Sequence, residues 1–544
     1  MVIQLNTIIL SAGKFNPKNI SMGMINEQGL LPIRGKAAIN WCIDDVLAKG
    51  FKNVKVVLRK NNSRLSNFLS FNYPTIQQIF VGDHENLFHS LSSVLTHCDE
   101  NLPTQIILGD TLINEPFPVE DDVFLSSPNV RTSSQWCLIS KDDNMHIKKI
   151  YNKEKDISLA NKEALVGYYK ISNTKLLKKI TDEVKEKNED DFLKVFAIYN
   201  KQIPIIVKTT NNWFDFGHVS GTVQARLELF NAREFNNIKV DSVKGTIIKS
   251  SKKKQKLLDE ANWYNSLPKE ISCFAPRVFN VIEDEETVSL EMELYGYANL
   301  AEIFIYGSNN LEDWYHIIDS LLKVHQVFEQ YTIELDPEEI EEIYVKKTIQ
   351  RLNEIDESIP YIKNMMVDDY IVINNIHYKN FNVVKNDLFN YLEKLQDYSN
   401  GSIVHGDYCF SNILFDPMHY IFKLIDPRGR FKTQTIYGDP RYDIAKLRHS
   451  VVGLYDFIVA GLFQLDEIEI NNYDFHILAP SSTSKLEIFF DELVINYGYN
   501  SQDIRMIEAL LFLTMIPLHS DAPTRQKCFY LTAIRKINEV LYNG

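Results

Sequence analysis

Basic residues are in short supply in this chain. Its 58 Lys and Arg face 72 Asp and Glu, a formal net charge of -14, which disfavours nucleic acid as a partner and suits small ligands that bring their own metal, such as magnesium nucleotides. Six cysteines (42, 98, 137, 273, 409 and 528) fall at no CxxC or CxxxC spacing and have no histidine at zinc-finger distance. That excludes such a zinc module, and the six read as reduced core residues of a cytoplasmic protein. Long apolar runs are missing as well. The most apolar windows, 451–465 and 506–518, are interrupted by Asp456 or too short to span a bilayer, and MVIQLNTIIL has no basic region ahead of a long apolar core, so neither membrane insertion nor a signal peptide is expected. There is no internal repeat, no low-complexity tract and no Gly/Ser-rich linker. The 544 residues, 45% hydrophobic and 24% charged, therefore predict two or more ordinary globular domains packed closely rather than tethered. A homo-oligomer is left open.

What is present is concentrated in residues 403–447, which read IVHGDYCFSNILFD, HYIFKLIDPRGRF and YGDPRYDIAKL. An apolar approach delivers His405, Asp407 and Asn412 in a polar loop, the strand-like Ile413 to Phe415 leaves it, and a second short strand, 421–425, ends on Asp426. Phosphoryl transfer from ATP asks for this set. One carboxylate, Asp407, accepts the proton of the attacking hydroxyl, while the amide of Asn412 and the carboxylate of Asp426 hold the magnesium that neutralises the triphosphate. His405 reads as a hydrogen-bonded loop anchor, because the base is already supplied.

The stretch resembles the aminoglycoside phosphotransferase and choline kinase superfamily of small-molecule kinases, which has a protein-kinase-like α+β fold. HGDYCFSN matches its HGDxxxxN loop, IDPRG its metal-aspartate position and GDPRYDIAKL its GDxxYDLA segment; the resemblance implies that Asp443 ties the catalytic loop down. It also gives roles to the preceding sequence. KGTIIKSSKKKQKLLDEANWYNSLP reads as a strand carrying Lys249 and a helix carrying Glu260, the pair that grips and orients the ATP phosphates in that fold. VSLEMELYGYANL resembles the hinge strand, where the backbone of Glu293 to Tyr295 meets the adenine. No GxGxxG precedes Lys249, so the nucleotide lid is expected to be short, with Lys244-Gly245 as its turn. Helices are expected from 311 to 330, across a helix-rich stretch up to 395, and at 448–465, 484–497 and 501–541.

The first 230 residues alternate strands and helices. NTIIL leads into Ser11-Ala12-Gly13, VKVVLR and IQQIFVG follow, a helix spans 85–95, and QIILG ends on Asp110, the pattern of a doubly wound α/β domain with its ligands at the strand carboxyl ends. Asp215, in NNWFDFGH, follows the further strand IPIIVKT. Two carboxylates from separate strand ends can hold one divalent cation against a triphosphate. This region resembles the sugar-phosphate nucleotidyltransferases, which have a Rossmann-like, GT-A-like fold. LSAG stands for their nucleotide loop, LLPIRGKAAI for LLPxxGKPxI, LGDT and WFDFGH for the two metal aspartates, and ALVGYYKIS, with Gly167, for the sugar-side strand. The resemblance implies nucleotide binding by Ser11, Ala12 and Gly13. It departs at the phosphate loop, where GKFNPK replaces GxGTR and leaves Lys14, Lys18 or Arg34 as the candidate cations, and at Gln28, which stands in place of a lysine.

Together these readings predict domains at 1–232 and 236–544, the second with lobes divided near 298. The expected protein is bifunctional: a kinase that phosphorylates a small sugar, sugar acid, polyol or amino-alcohol, and a nucleotidyltransferase that couples the product to an NTP, CTP or UTP, releasing pyrophosphate. Mg2+ serves both sites. Such pairs resemble those that activate precursors for capsular and other surface polysaccharides. The alternatives are an antibiotic-inactivating kinase with a vestigial first domain, and a first domain that only binds nucleotide. Arg428 and Arg430, just beyond Asp426, are within reach of an anionic acceptor, unless they pair with acids such as Asp439 or Asp443.

Overall fold

A computed structural model describes the chain except residues 1–3, 14–26, 84, 131, 230–235, 242, 434–435 and 543–544. It forms two compact units, Met1–Leu229 and Phe230–Gly544.

The first unit is built on a mixed sheet with a parallel centre. Strand Asn6–Leu10, buried along its whole length, pairs in parallel with Val54–Arg59 on one side and with Thr104–Leu108 on the other. Gln77–Val81 extends the sheet in parallel beyond Val54–Arg59, whereas Glu163–Ile171 runs antiparallel beside Thr104–Leu108. The chain thus first winds away from Asn6–Leu10 in one direction and later returns on its other side. The crevice at the carboxyl ends of Asn6–Leu10 and Thr104–Leu108 is the switch point where such sheets take their ligands. Behind it, Ile8, Leu10, Phe88, Leu91, Phe124 and Phe196 belong to one apolar cluster. Helix Leu87–Leu95 enters that cluster from Asn86, whose side chain accepts from the backbone of Phe88 and His89 in a capping box, so the helix begins two residues later than expected.

The second unit opens with a four-stranded antiparallel sheet in the order Asn236–Asp241, Thr246–Ser251, Val288–Glu293, Val278–Glu283. Helix Lys254–Ser266 buries Leu257, Glu260, Trp263 and Tyr264. Most of the remainder is helical, with small sheets. One of these, Asn400–Ile403 between Thr332–Glu334 and Tyr437–Gly438, leads into the 405–412 loop, and Ile413–Asp416 pairs with Ile421–Leu424 after it.

Several expectations are corrected here. The stretch 448–465 is not one helix: Pro440–Val451 and Tyr455–Val459 are separated by Gly453 and by Leu454 at φ 53°, and a hairpin, Phe463–Glu469 with Asn472–Ile477, follows. That hairpin joins a second one, Tyr370–Ile373 with Ile376–Lys379, inside the stretch expected to be helix-rich; Asn374 and Asn375 turn it at φ 52° and 62°, a left-handed turn that Asn tolerates. The 501–541 segment is two helices, Ser501–Met515 and Pro523–Tyr542, parted by a 3-10 turn over Ile516–His519, because Pro517 and Pro523 cannot donate to a continuous helix. All six cysteines are free, but only Cys42, Cys409 and Cys528 are buried; Cys98 and Cys137 are half-buried and Cys273 is exposed in a short 3-10 turn. No helix among the described residues is long and apolar enough to cross a membrane.

Candidate functional site

In the first unit, register brings the two candidate metal carboxylates together. Asp110 follows the Thr104–Leu108 strand, and the two-stranded ribbon of Thr111–Ile113 with Trp213–Asp215 sets Asp215 opposite Thr111. The N–H of Phe216 donates to the carbonyl of Asp110 at 2.8 Å. A Cβ on Gly217 would stand 2.7 Å from Asp110 Oδ2 and 3.2 Å from Asp215 Oδ1, so any side chain there would have to displace the Asp110 carboxylate. Burial, then the neighbouring charge of Asp215, raises the Asp110 carboxyl to about 6. Gln28 Nε2 donates to Asp110 Oδ2 at 3.0 Å, and His218 Nδ1 lies 2.9 Å from Asp215 Oδ2, an interaction that raises the imidazole pKa.

Ser11, Ala12 and Gly13 leave the adjacent strand end: Gly109 N donates to Leu10 O at 2.8 Å, and Gln28 Oε1 lies 3.3 Å from where a Cβ on Gly13 would be. Lys14 and Lys18 lie outside the described residues. A cavity of about 400 Å³ adjoins the carboxylates, and Gly167, Trp136, Trp213, Tyr169 and Phe192 line it. Two acidic side chains with hard oxygen donors suit a divalent cation such as Mg2+, which takes one or two carboxylates and completes its shell with phosphate oxygens and water. Among the described residues no group of three or more His, Cys, Asp or Glu side chains is arranged to hold a metal, so phosphate oxygens and water would have to supply the other ligands.

In the second unit, Lys249, on strand Thr246–Ser251, reaches Glu260 Oε2 at 2.8 Å and Asp426 Oδ1 at 2.7 Å. Burial alone would lower the lysine pKa, but Asp426 and Glu260 outweigh it and raise it. Burial likewise raises Glu260, to about 7. Asp426 sits at φ 55° on an exposed turn, held by its N–H to the hydroxyl of Tyr264 at 3.0 Å. The next turn explains the Arg-Gly-Arg sequence. A Cβ on Gly429, at φ 78°, would come within 2.4 Å of the Asp259 backbone, and that close approach lets Arg430 pair with Asp259 at 2.9 Å. Arg430 is thereby paired, although with neither Asp439 nor Asp443. Arg428 instead packs its guanidinium over Phe431, 4.8 Å from the ring centroid.

The 405–412 loop is tied from below. Asp443 accepts from the backbone N–H of His405 at 2.6 Å and of Gly406 at 2.8 Å, and buried His405 bonds Ile425 O at 3.0 Å, with burial lowering its pKa. Asn412 donates its Nδ2 to Asp407 Oδ2 at 2.8 Å and so turns its amide oxygen to other partners, while Ile425 N donates to Asn412 O at 2.9 Å beside Asp426. The side-chain oxygen Oδ1 of Asn412 and the Asp426 carboxylate are again hard donors suited to Mg2+. Lys446 Nζ lies 2.8 Å from Asp407 Oδ1. Burial pushes the Asp407 pKa up, yet Lys446 more than offsets this and holds the carboxyl below its ordinary value.

At the expected hinge, Glu293 and Leu294 already donate their N–H groups to Arg277 and Gly245, and the Tyr295 hydroxyl bonds Glu293 Oε2 at 2.6 Å. Of the three backbone donors in this stretch, the N–H of Tyr295 is the one without a hydrogen bond among the described residues. Sequence reasoning passed over His218 and Lys446. Lys446 was legible, lying one helical turn after Asp443 in the quoted GDPRYDIAKL.

No family model matches the chain, and no curated protein matches it. Solved structures similar to its N-terminal part are sugar-phosphate nucleotidyltransferases. A CTP:phosphocholine cytidylyltransferase from Streptococcus pneumoniae is 15% identical, with a TM-score of 0.34, 41% of this chain and 98% of that one being covered. A UDP-glucose pyrophosphorylase complexed with UDP-glucose is 16% identical over 41% of this chain and 97% of its own, at a TM-score of 0.34. A UTP-bound UGPase from Acinetobacter baumannii is 13% identical over 41% and 93%, at 0.32.

Proposed function

We propose that the chain carries two phosphate-transfer sites: an ATP-dependent kinase for a small hydroxyl compound in the second unit, and a nucleotidyltransferase acting on the phosphorylated product in the first. The observation that carries the reading is the meeting of Lys249 with both Glu260 and Asp426, the latter 177 residues away in sequence, beside a loop in which Asp407 faces Asn412 and Lys446. No structural need of an ordinary core explains why so many charges gather at one edge, and phosphoryl transfer uses each of them.

In this reading Asp407, kept ionised by Lys446, takes the proton of the acceptor hydroxyl. The acceptor oxygen bonds to the γ-phosphorus of ATP, the bond to the β-phosphate oxygen breaks, and ADP leaves. Lys249, oriented by Glu260, holds the phosphates. Asn412 and Asp426 would hold Mg2+, which supplies charge neutralisation to the triphosphate. In the first unit the phosphate of the product attacks the α-phosphorus of CTP or UTP and pyrophosphate departs. Asp110 and Asp215 would hold the cation there, with Ser11 to Gly13 along the nucleotide and the Trp136 cavity around the sugar or alcohol. The nucleotide-activated product is a precursor for surface polysaccharide.

Gln28 favours a second reading for the first unit alone. It sets a neutral amide, where the family has a lysine, against Asp110, and a domain short of cations can bind a nucleotide without transferring it. ADP formation and pyrophosphate release, measured separately with sugars, sugar acids and amino-alcohols and their phosphates, test both. ADP formation without pyrophosphate leaves the kinase alone; neither product from any acceptor contradicts the whole reading.

A further inference from the structure

Buried or half-buried cations in the second unit are generally matched by acids. Arg448 meets Asp491, Glu487 and Glu508, Arg441 meets Asp439 and Asp503, and Lys536 meets Glu508. One cluster breaks this pattern, and it adjoins Asp407. Helix Pro440–Val451 carries Tyr442 and Lys446 four residues apart, hence on one face, and Lys446 reaches Asp407. Lys347 Nζ lies 2.9 Å from the Tyr442 hydroxyl and 5.1 Å from its ring centroid. The Arg428 guanidinium lies 6.0 Å from the same ring, and the backbone N–H of Arg428 donates to His405 O at 2.9 Å. Lys446 is met by Asp407, with buried Asp456 also nearby, whereas neither Lys347 nor Arg428 forms an ion pair among the described residues.

The surplus is felt by the groups themselves. Burial, with Arg428 nearby, lowers the pKa of Lys347. Burial would raise Tyr442, but Lys347, Lys446 and Arg428 bring it down to about 8. Leaving partly buried cations unmatched is costly unless a ligand supplies the anion.

Resting on the kinase reading above, we propose that Lys347, Arg428 and Tyr442 form the anion-binding end of the acceptor pocket, so that the compound phosphorylated carries a carboxylate or phosphate close to its reactive hydroxyl. Tyr442 and Lys446 are separated by one helical turn, about 5.4 Å. That spacing from the Asp407 end fits a hydroxy acid, a sugar acid or a sugar phosphate, and repels a cationic amino-alcohol.

The test is ADP formation by the full chain with glycerate, gluconate, glucose 6-phosphate, glucose, glycerol and choline. The expected result is turnover of anionic acceptors only; glycerate and gluconate against glucose 6-phosphate distinguish carboxylate from phosphate. Lys347→Met and Arg428→Met should each raise the acceptor KM about tenfold or more, the loss of one charge-assisted contact, with the ATP KM little changed, and Lys347→Arg should recover part of the loss. Should Lys347→Met not fold, Arg428→Met carries the same reading. Turnover of choline or glucose with a KM unmoved by either variant overturns the inference and leaves the kinase standing. No ADP from any acceptor sinks the kinase reading and this inference with it.

Discussion

Asp110 and Asp426 are both carboxylates at strand ends, yet they are balanced in opposite ways. Asp426 is met by Lys249, which Glu260 holds from the other side, and Asp407 is met by Lys446, so each of these two carboxylates has a lysine beside it. Asp110 is met by a second acid, Asp215, and by the neutral amide of Gln28. Burial, and after it the charge of Asp215, raises its pKa. In the second unit Asp426 and Asp407 each face a lysine; in the first, Asp110 faces a second carboxylate, and the basic group at hand, His218, pairs with Asp215.

The largest effect that would break or sharpen this contrast is expected at Asp407. Asp407→Asn should cut ADP formation by about a hundredfold to ten-thousandfold, the usual cost of losing a general base, and leave the thermal midpoint of the first unit where it was. Retention of phosphorylation would show that another group takes the proton. Next comes Asp110→Asn, which should reduce pyrophosphate release by about a hundredfold or more, since even residues behind a metal's ligands can cost that much, while ADP formation continues at the wild-type rate. A smaller loss, about tenfold to a hundredfold, is expected of Gly217→Ala, whose Cβ would push between the two carboxylates and misplace them by a fraction of a bond length; titration with Mg2+ should show a weakened dependence, and an unchanged one would deny that the carboxylates share a cation.

The smallest effect concerns a buried acid of the second unit that lies near Lys446 and Asp407. Asp456 is buried, its Oδ2 makes no hydrogen bond among the described residues, and burial raises its carboxyl to about 6. A raised pKa means the fold favours the protonated form, so this stabilisation is complete below the unfolded value near 4 and is lost as pH rises through about 6. Asp456→Asn should then gain about 3 kcal/mol over the wild type at pH 8 and almost nothing at pH 4, read as a difference in thermal midpoint. An equal gain at both pH values would mean packing, not charge, is the cause.

Much of this contrast is legible in the sequence, because the chemistry is carried by short strands that end on polar residues. NTIIL before Ser11, QIILG before Asp110 and IFKLI before Asp426 announce both the strand and the site. The strand holding Lys249 and the helix holding Glu260 are readable for the same reason. Illegible were contacts between residues far apart with no periodicity to link them: Arg430 with Asp259, Lys347 with Tyr442, and Gln28 with Asp110. The hairpin at 370–379 was missed because its strands have four residues each, and that at 463–477 because its strands are largely exposed and polar residues such as those of DEIEINNYDFHI dilute the alternation. Their left-handed Asn turns were the available signal.

Pyrophosphate release from pre-phosphorylated acceptors tests the central claim, two independent phosphate-transfer sites in one chain, most directly. It is measured with each of the four NTPs for the wild type and for Asp407→Asn. The account predicts release with CTP or UTP at the same rate in both proteins. No release by the wild type with any NTP, or an equal loss of release and of phosphorylation in Asp407→Asn, would contradict it.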